Sequence, residues 1–265
     1  MEFADRVVMI TGAAGRLGRP CALAFAREGA RLLLVDLDAA RLEAAAAAVR
    51  AAGAPVAAIS ADVRDPAAVE HAVEEGARAL GPVDVLVTFH GYVPTTPVLE
   101  VAPEEWDRTF DVNVKGTMLC CRAVARRMIA RGTGGTLVAV SSGAATSARA
   151  GGAHYCGSKA AVNMLVQVLA IELGPYGIRV NAVAPGLVLD EVVTRDVPAP
   201  HPYVRDMLAA IPLGRTGAAQ EVAEAVLFLA SSRASYVHGE IFYVTGGAHC
   251  GRTHMAPARG LMASR

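Results

Sequence analysis

Arg6-Val7-Val8-Met9-Ile10 is a short apolar run with β-branched residues, and Thr11-Gly12-Ala13-Ala14-Gly15-Arg16-Leu17-Gly18 follows it at once. The first run reads as a buried strand. The glycines mark a turn through which backbone N–H groups can approach an anion, such as a pyrophosphate, at the positive end of the next helix. Ala22 to Arg27 reads as that helix, and Gly29 ends it.

The same rhythm repeats outward from this turn. Arg31–Val35 is a second strand stopped by Asp36, and an Ala-rich helix runs from about Asp38 to Ala52. Val56–Ile59 is a third strand, followed by Asp62 and a helix through Ala79. Val83–Val87 is a fourth. After a loop with Pro94, Pro97 and Pro103, a helix from about Glu104 carries Asn113 and continues to Arg131. Thr136–Val140, Arg179–Val183 and Glu240–Val244 complete seven strands, with helices over Gly157–Leu173 and Glu221–Ala230. Short apolar strands separated by helices predict an α/β, doubly wound parallel seven-stranded sheet with helices on both faces, a Rossmann fold. One domain is expected over residues 1–248, with a C-terminal tail over 249–265. The stretch from about 187 to 212, with Pro198, Pro200 and Pro202, breaks the rhythm and reads as a mobile substrate lid.

The 265 residues are 53% hydrophobic and 19% charged, and 25 basic residues balance 25 acidic ones. The absence of a basic excess argues against nucleic acid as a partner. No continuous run reaches the ~18 apolar residues of a membrane span, and Met1 to Arg6 lack a charged-then-apolar leader. A cytoplasmic protein with no membrane partner is the expectation. Cys21, Cys120, Cys121, Cys156 and Cys250 show no zinc or redox spacing. The adjacent pair Cys120 and Cys121 reads as apolar packing. No metal site is expected; His249, Cys250 and His254 form the only loose cluster of such residues.

Asp36 ends the second strand, 18 residues after Gly18. A carboxylate there can accept hydrogen bonds from both ribose hydroxyls of an adenosine and repels a 2′-phosphate, which favours NAD over NADP. A capping role for Asp36 is the plainer alternative, although Asp38 suits that role. Arg16 pulls the other way, because its guanidinium can meet a phosphate. Asp62 is placed to meet an adenine edge or to cap a helix.

With these residues and the next set, the chain closely resembles the short-chain dehydrogenase/reductase family over about residues 5 to 248. Tyr155-Cys156-Gly157-Ser158-Lys159 supplies that family's Tyr-x-x-x-Lys pair, and Ser142 precedes the tyrosine by thirteen residues. Asp111-Val112-Asn113-Val114-Lys115-Gly116 supplies its helical Asn, and Asn181 to Gly186 resembles its sixth strand with a Pro-Gly turn. The resemblance implies an NAD(P)-dependent oxidoreductase that moves hydride between a nicotinamide and a secondary alcohol or ketone. Tyr155 would be the general acid/base. Lys159 would lower the phenol's pKa and reach the nicotinamide ribose, Ser142 would hold the substrate oxygen, and Asn113 would hold a water leading to solvent. The implied cofactor contacts are Gly12, Gly15, Arg16, Leu17, Gly18, Asp36, Asp62, Val63, His90, Gly91, Tyr155, Lys159, Pro185, Gly186 and Val188. A homotetramer is implied, with a dimer possible.

Departures from the family pattern are informative. Arg16 replaces its middle glycine, Thr88-Phe89-His90-Gly91 stands where it reads Asn-Asn-Ala-Gly, and Asp190 stands where a Thr often holds the carboxamide. Thr194 is an alternative for that last role. Residues near Tyr92, Ala144, Arg149, His154 and Leu187 should line the substrate pocket. Arg195 and Arg205 would either grip an anionic substrate group or lie in solvent, and His154 would face solvent or a subunit contact. Two rivals share the scaffold: a non-redox dehydratase or epimerase using Tyr155 and Lys159, and a cofactor-binding protein without catalysis.

Overall fold

The computed structural model describes residues 1–197 and 201–251. Pro198 and Pro200 of the expected lid, and Arg252, His254, Met255 and Arg259 of the tail, lie outside the described residues. Seven strands form one parallel sheet: β1 (Val7–Thr11), β2 (Arg31–Asp36), β3 (Val56–Ser60), β4 (Val85–Thr88), β5 (Gly135–Val140), β6 (Ile178–Pro185) and β7 (Ile241–Val244). Their order is β3-β2-β1-β4-β5-β6-β7.

The period of two along a strand sorts each apolar run onto two faces. Val8 and Ile10 of β1, with Leu32, Leu34, Val87 and Val138, pack against Phe25 of α1 (Gly18–Arg27) and Val226 of α8 (Ala219–Ala230). Val7 and Met9, with Leu33, Val35, Leu86 and Leu137, pack on the other face. There they meet Val73 of α3 (Pro66–Leu80), Val124 of α5 (Gly116–Arg131) and Val166 of α6 (Ala153–Leu173). Cys120 and Cys121 belong to this second core, and burial holds both thiols well above the usual thiol range. The remaining early helix, α2 (Ala39–Ala51), starts where Asp38 accepts hydrogen bonds from the N–H groups of Ala40 and Arg41.

Three differences from the sequence expectation bear on the site. The helix expected over 104–131 is α4 (Pro103–Phe110), a π-helical turn (Asp111–Lys115) and α5 in series. The wider π turn carries Asn113 and marks a local irregularity of the kind common at functional positions. Next, α6 begins at Ala153 rather than Gly157, so Tyr155 and Lys159 stand on consecutive turns of one helix. Lastly, the 187–212 excursion contains a helix, α7 (Pro202–Ala210), opened by His201 accepting from Tyr203 N–H.

One described segment, Ala153–Tyr176, is long and apolar enough to cross a membrane by length and composition, where the sequence shows no unbroken apolar run. Its apolarity has a local cause. Val162, Val166, Ala170 and Leu173 are buried in the second core, while Met164 and Ile171 lie on the opposite, exposed side.

A single guanidinium ties the C-terminus of α8 to the sheet. Arg179 of β6 donates to Leu229 O at 2.9 Å, Ala230 O at 3.3 Å and Ser231 O at 3.0 Å, and to Thr136 Oγ1 at 3.1 Å. These carbonyls have no partner within the helix, so the cation meets both a hydrogen-bond and a dipole requirement. Arg179→Met should lower the urea-unfolding free energy by about 2–3 kcal/mol without changing the sheet's circular dichroism; a loss under 0.5 kcal/mol, roughly that of a surface change, would contradict this role.

Candidate active site

The strand order reverses between β1 and β4, and the turns leaving these two strands meet there. Gly12 has φ +64°, and a Cβ built on it would lie 2.4 Å from His90 N. A Cβ on Gly18 would lie 2.2 Å from Gly12 O. Both positions exclude any larger residue, because the obstructing atoms are backbone. The result is an open cradle at the start of α1, where Leu17 at the N-cap offers no side-chain acceptor to the first N–H groups. Such a cradle suits a dinucleotide's pyrophosphate.

Beside it lies a cavity of about 390 Å³ lined by Gly12, Gly15, Asp36, Asp62, Val63 and Gly91. Asp36 is oriented by the backbone: one oxygen accepts from Ala14 N at 3.0 Å and the other from Leu37 N at 2.8 Å. Asp62 also lines the cavity, but its carboxylate is held by Arg64, which brings two side-chain nitrogens to it at 2.6–3.0 Å and holds its pKa below the usual carboxylate range. Arg41, Arg64 and Arg108 line this cavity too, and the sequence reading did not single them out. They arrive from α2, the loop after β3 and α4, so no local motif groups them.

Arg16 is not the free phosphate ligand that its place in the turn suggests. Its Nε lies 3.0 Å from Asp190, and one terminal nitrogen donates to Val188 O at 3.2 Å. Two departures from the family pattern therefore neutralise each other across the mouth of the cleft. Asp190 points outward to this pair, and Thr194 bridges backbone with Arg215. Neither lines the cavity where the carboxamide contact was expected. Val188, Pro185 and Gly186 do line it.

The turn after β4 replaces the family's side chains with another network. His90 bonds Thr11 Oγ1 through Nδ1 at 2.6 Å and approaches Thr117 Oγ1 at 3.4 Å. Burial, helped by the Lys159 charge, pushes its pKa down to about 3, so the ring is neutral. The Thr88 hydroxyl is buried without a hydrogen-bond partner among the described residues. His90 thus braces β1 against the π turn behind the cofactor cradle.

A second cavity, about 570 Å³, shares Phe89, His90 and Gly91 with the first and is lined by Ser142, Tyr155 and Lys159. Ser142 caps the short turn Gly143–Ala145, accepting from Ala144 N at 3.1 Å, and its hydroxyl pulls the pKa of the Tyr155 phenol down. Lys159 is 4% exposed and donates from Nζ to Val140 O at 2.8 Å. Burial lowers its pKa to about 8. The phenol differs from expectation: burial raises its pKa above the ordinary tyrosine value, and the opposing pulls come from Ser142 and Arg149, not Lys159. The reason is that the ammonium is directed to the β5 carbonyl.

Asn113 is fully buried and ties two elements together. Its Oδ1 accepts from Tyr92 N at 2.7 Å, and its Nδ2 donates to Tyr92 O at 3.0 Å and Ser158 Oγ at 2.9 Å. Ser158 in turn donates to Tyr155 O. A Cβ built on Gly91 would lie 3.5 Å from Asn113 Oδ1 and 3.9 Å from Lys159 Nζ, so the β4 turn runs in contact range of both.

Of the expected pocket residues, Ala144, Arg149 and Leu187 line the catalytic cavity, whereas Tyr92 lines the first one. His154 faces neither solvent nor a surface contact: it is buried, with Nε2 2.7 Å from Glu105 Oε1. Arg195 donates to Leu208 O and Ile211 O, bracing the end of α7, and Arg205 pairs with Asp206 in solvent. Thus neither enters the cavity. His249 lines it, stacked on Tyr243 and bonded to Thr245 Oγ1 at 2.7 Å.

The family described as enoyl-(acyl carrier protein) reductase matches residues 12–249. The sorbitol dehydrogenase of Cereibacter sphaeroides is 36% identical over 256 residues, covering 93% of this chain and 98% of that protein. A (2S)-[(R)-hydroxy(phenyl)methyl]succinyl-CoA dehydrogenase subunit of Thauera aromatica is 36% identical over 251 residues, with 93% and 98% covered. A short-chain type dehydrogenase/reductase structure from Mycobacterium marinum superposes with a TM-score of 0.87 at 32% identity, covering 94% of this chain and 97% of that one.

The Lys159 shift has a measurable sign. Its pKa falls from 10.5 to about 8 on folding, so the unfolded state binds more protons between these values. The buried ammonium therefore costs stability in full below pH 8, and the cost disappears as pH rises toward 10.5. In urea unfolding without dinucleotide, Lys159→Met should be more stable than wild type at pH 7, on the order of 1–3 kcal/mol. That advantage should shrink above pH 8; a pH-independent difference would refute the shift.

Proposed function

Because the chain belongs to the short-chain dehydrogenase/reductase family, we propose that Tyr155 is its general acid/base and that Ser142, Lys159 and Asn113 serve that proton transfer. The activity is hydride exchange between NAD(P) and a small secondary alcohol or ketone, as in the sugar and polyol dehydrogenases among its relatives. When bound, the nicotinamide supplies or accepts the hydride. The observation that carries the assignment is that Ser142, Tyr155 and Lys159 line one cavity.

In alcohol oxidation, Tyr155 as the phenolate takes the hydroxyl proton as the C–H electrons depart; in ketone reduction the phenol gives its proton to the carbonyl oxygen. Ser142 donates to the same substrate oxygen and stabilises the charge that develops there. Lys159 lies one helical turn from the phenol and brings a buried positive charge to the reacting end of the cleft. Asn113 is a positioning residue: its bonds to Tyr92 and Ser158 hold the β4 turn and α6 at a constant distance.

Gly12, Gly15, Leu17, Gly18, Val63, His90, Gly91, Pro185, Gly186 and Val188 would hold the dinucleotide, with Asp36 at the adenosine ribose. NAD is the proposed preference, supported by the cavity-facing Asp36 carboxylate and by the pairing of Arg16 with Asp190. Parallel kcat/KM values for NAD and NADP test it, and a preference for NADP would overturn it. Residues 1–248 are proposed as one catalytic unit with 187–212 as its lid. The exposed Met164 and Ile171 on α6, 60% and 78% accessible, support burial of that face in a homotetramer, which sedimentation equilibrium tests.

Tyr155→Phe should lower kcat/KM by about 10³-fold while NADH binding, read by fluorescence titration, stays within about threefold of wild type. Turnover near the wild-type level would remove Tyr155 from the mechanism.

A further inference from the structure

The catalytic cavity carries a cation that proton transfer does not require. Arg149 stands in the loop six residues before Tyr155, with its guanidinium carbon 5.4 Å from the Tyr155 ring centroid and 5.9 Å from that of Tyr203 on α7. One terminal nitrogen donates to the Tyr203 hydroxyl at 2.5 Å. Its Nε is buried with no hydrogen-bond partner among the described residues.

Charge balance around it is one-sided. Among the described residues no carboxylate lines the cavity and no acidic side chain forms an ion pair with Arg149. Arg16, the other lining arginine, is already paired with Asp190. Lys159 belongs to the reacting centre. A half-buried guanidinium without a counter-ion, and with one N–H unsatisfied, is a costly arrangement that an anionic ligand would relieve. Its planar fork matches a carboxylate in two-point geometry.

Much of the surrounding wall is apolar, with Val93, Ala144, Leu187, Met207 and Ala210. Those side chains give no partner to a hydroxyl on every carbon, which a polyol would bring. A body with few hydroxyls and one anionic group fits both features. The closeness of guanidinium and phenol ring limits the spacer between anion and carbinol to a few bonds. The same cation also favours the Tyr155 phenolate, so it acts on both ends of such a substrate.

We infer that Arg149 is the specificity-determining residue and that the substrate is a short hydroxy acid or its oxo acid, its carboxylate held by Arg149 and its carbinol by Ser142 and Tyr155. This inference rests on the proposed role of Tyr155, and its test separates the two.

Lactate and β-hydroxybutyrate, each beside its methyl ester, and sorbitol are assayed with NAD on wild type, Arg149→Gln, Arg149→Lys and Tyr155→Phe, with thermal melting to verify folding. Wild type should prefer at least one acid over its ester by about 100-fold in kcat/KM, and over sorbitol by more. Arg149→Gln should bring the acid-to-ester ratio within about threefold of one, and Arg149→Lys should fall between. Any effect of Arg149 on the phenol cancels in that ratio, because acid and ester share the proton-transfer step. Independently of turnover, acetoacetate should bind the NAD-loaded protein more tightly than methyl acetoacetate, and Arg149→Gln should abolish the difference in calorimetry. Equal handling of acid and ester by wild type, a preference for sorbitol, or an unchanged ratio in Arg149→Gln would overturn the inference. Full activity of Tyr155→Phe would instead overturn the catalytic assignment, whatever the ratio.

Discussion

The site depends on a close approach of backbone to backbone where β1 and β4 lie side by side. The chain leaving β1 goes to α1 on one face of the sheet; the chain leaving β4 goes to α4 and α5 on the other. The two turns must therefore part at one point, and a crevice opens between them. Only glycine fits at position 12, where the His90 backbone leaves no room for a Cβ. From this contact follow the glycine cradle at α1, the cavity toward Asp36 and the cavity toward α6. Any thickening of the contact would displace all three together.

Desolvation governs the chemistry inside the cleft. It keeps His90 neutral, brings Lys159 down to about 8 and holds the Tyr155 phenol high. The same burial that makes the lysine costly in the folded state makes its charge effective at short range, since little water screens it. The phenol is drawn back down by the Ser142 hydroxyl and the Arg149 cation. Ser142, Arg149, Tyr155 and Lys159 thus share one electrostatic environment, built from the loop after β5 and the first turns of α6.

Departures from the family pattern prove to be paired. Arg16 in the glycine turn and Asp190 after β6 are 174 positions apart and form one ion pair. His90, where a small residue is usual, is accommodated by Thr11 and Thr117. Each substitution reads as an anomaly in one dimension and as half of a contact in three. Arg195 teaches the converse. Its place in the lid left an anion grip and plain solvation both open, yet the carbonyls at the end of α7 hold it, because that helix C-terminus is the nearest demand for donors.

By its resemblance to the family the sequence singled out Ser142, Tyr155 and Lys159, and by itself it determined the sheet and its helices, because strand and helix periods are written locally. Asp38 as a cap and the glycine turn were legible for the same reason. Tertiary structure alone decided which charges remain available in the cleft. Arg16, Arg195 and Arg149 are indistinguishable as letters, and Arg41, Arg64 and Arg108 meet only because three separate elements converge. A counter-charge is found by proximity in space, and no periodicity records it. That is why Tyr155 and Lys159 could be picked out from the order of residues, while Arg149, whose guanidinium faces the Tyr155 ring, acquires its meaning only from what does not surround it.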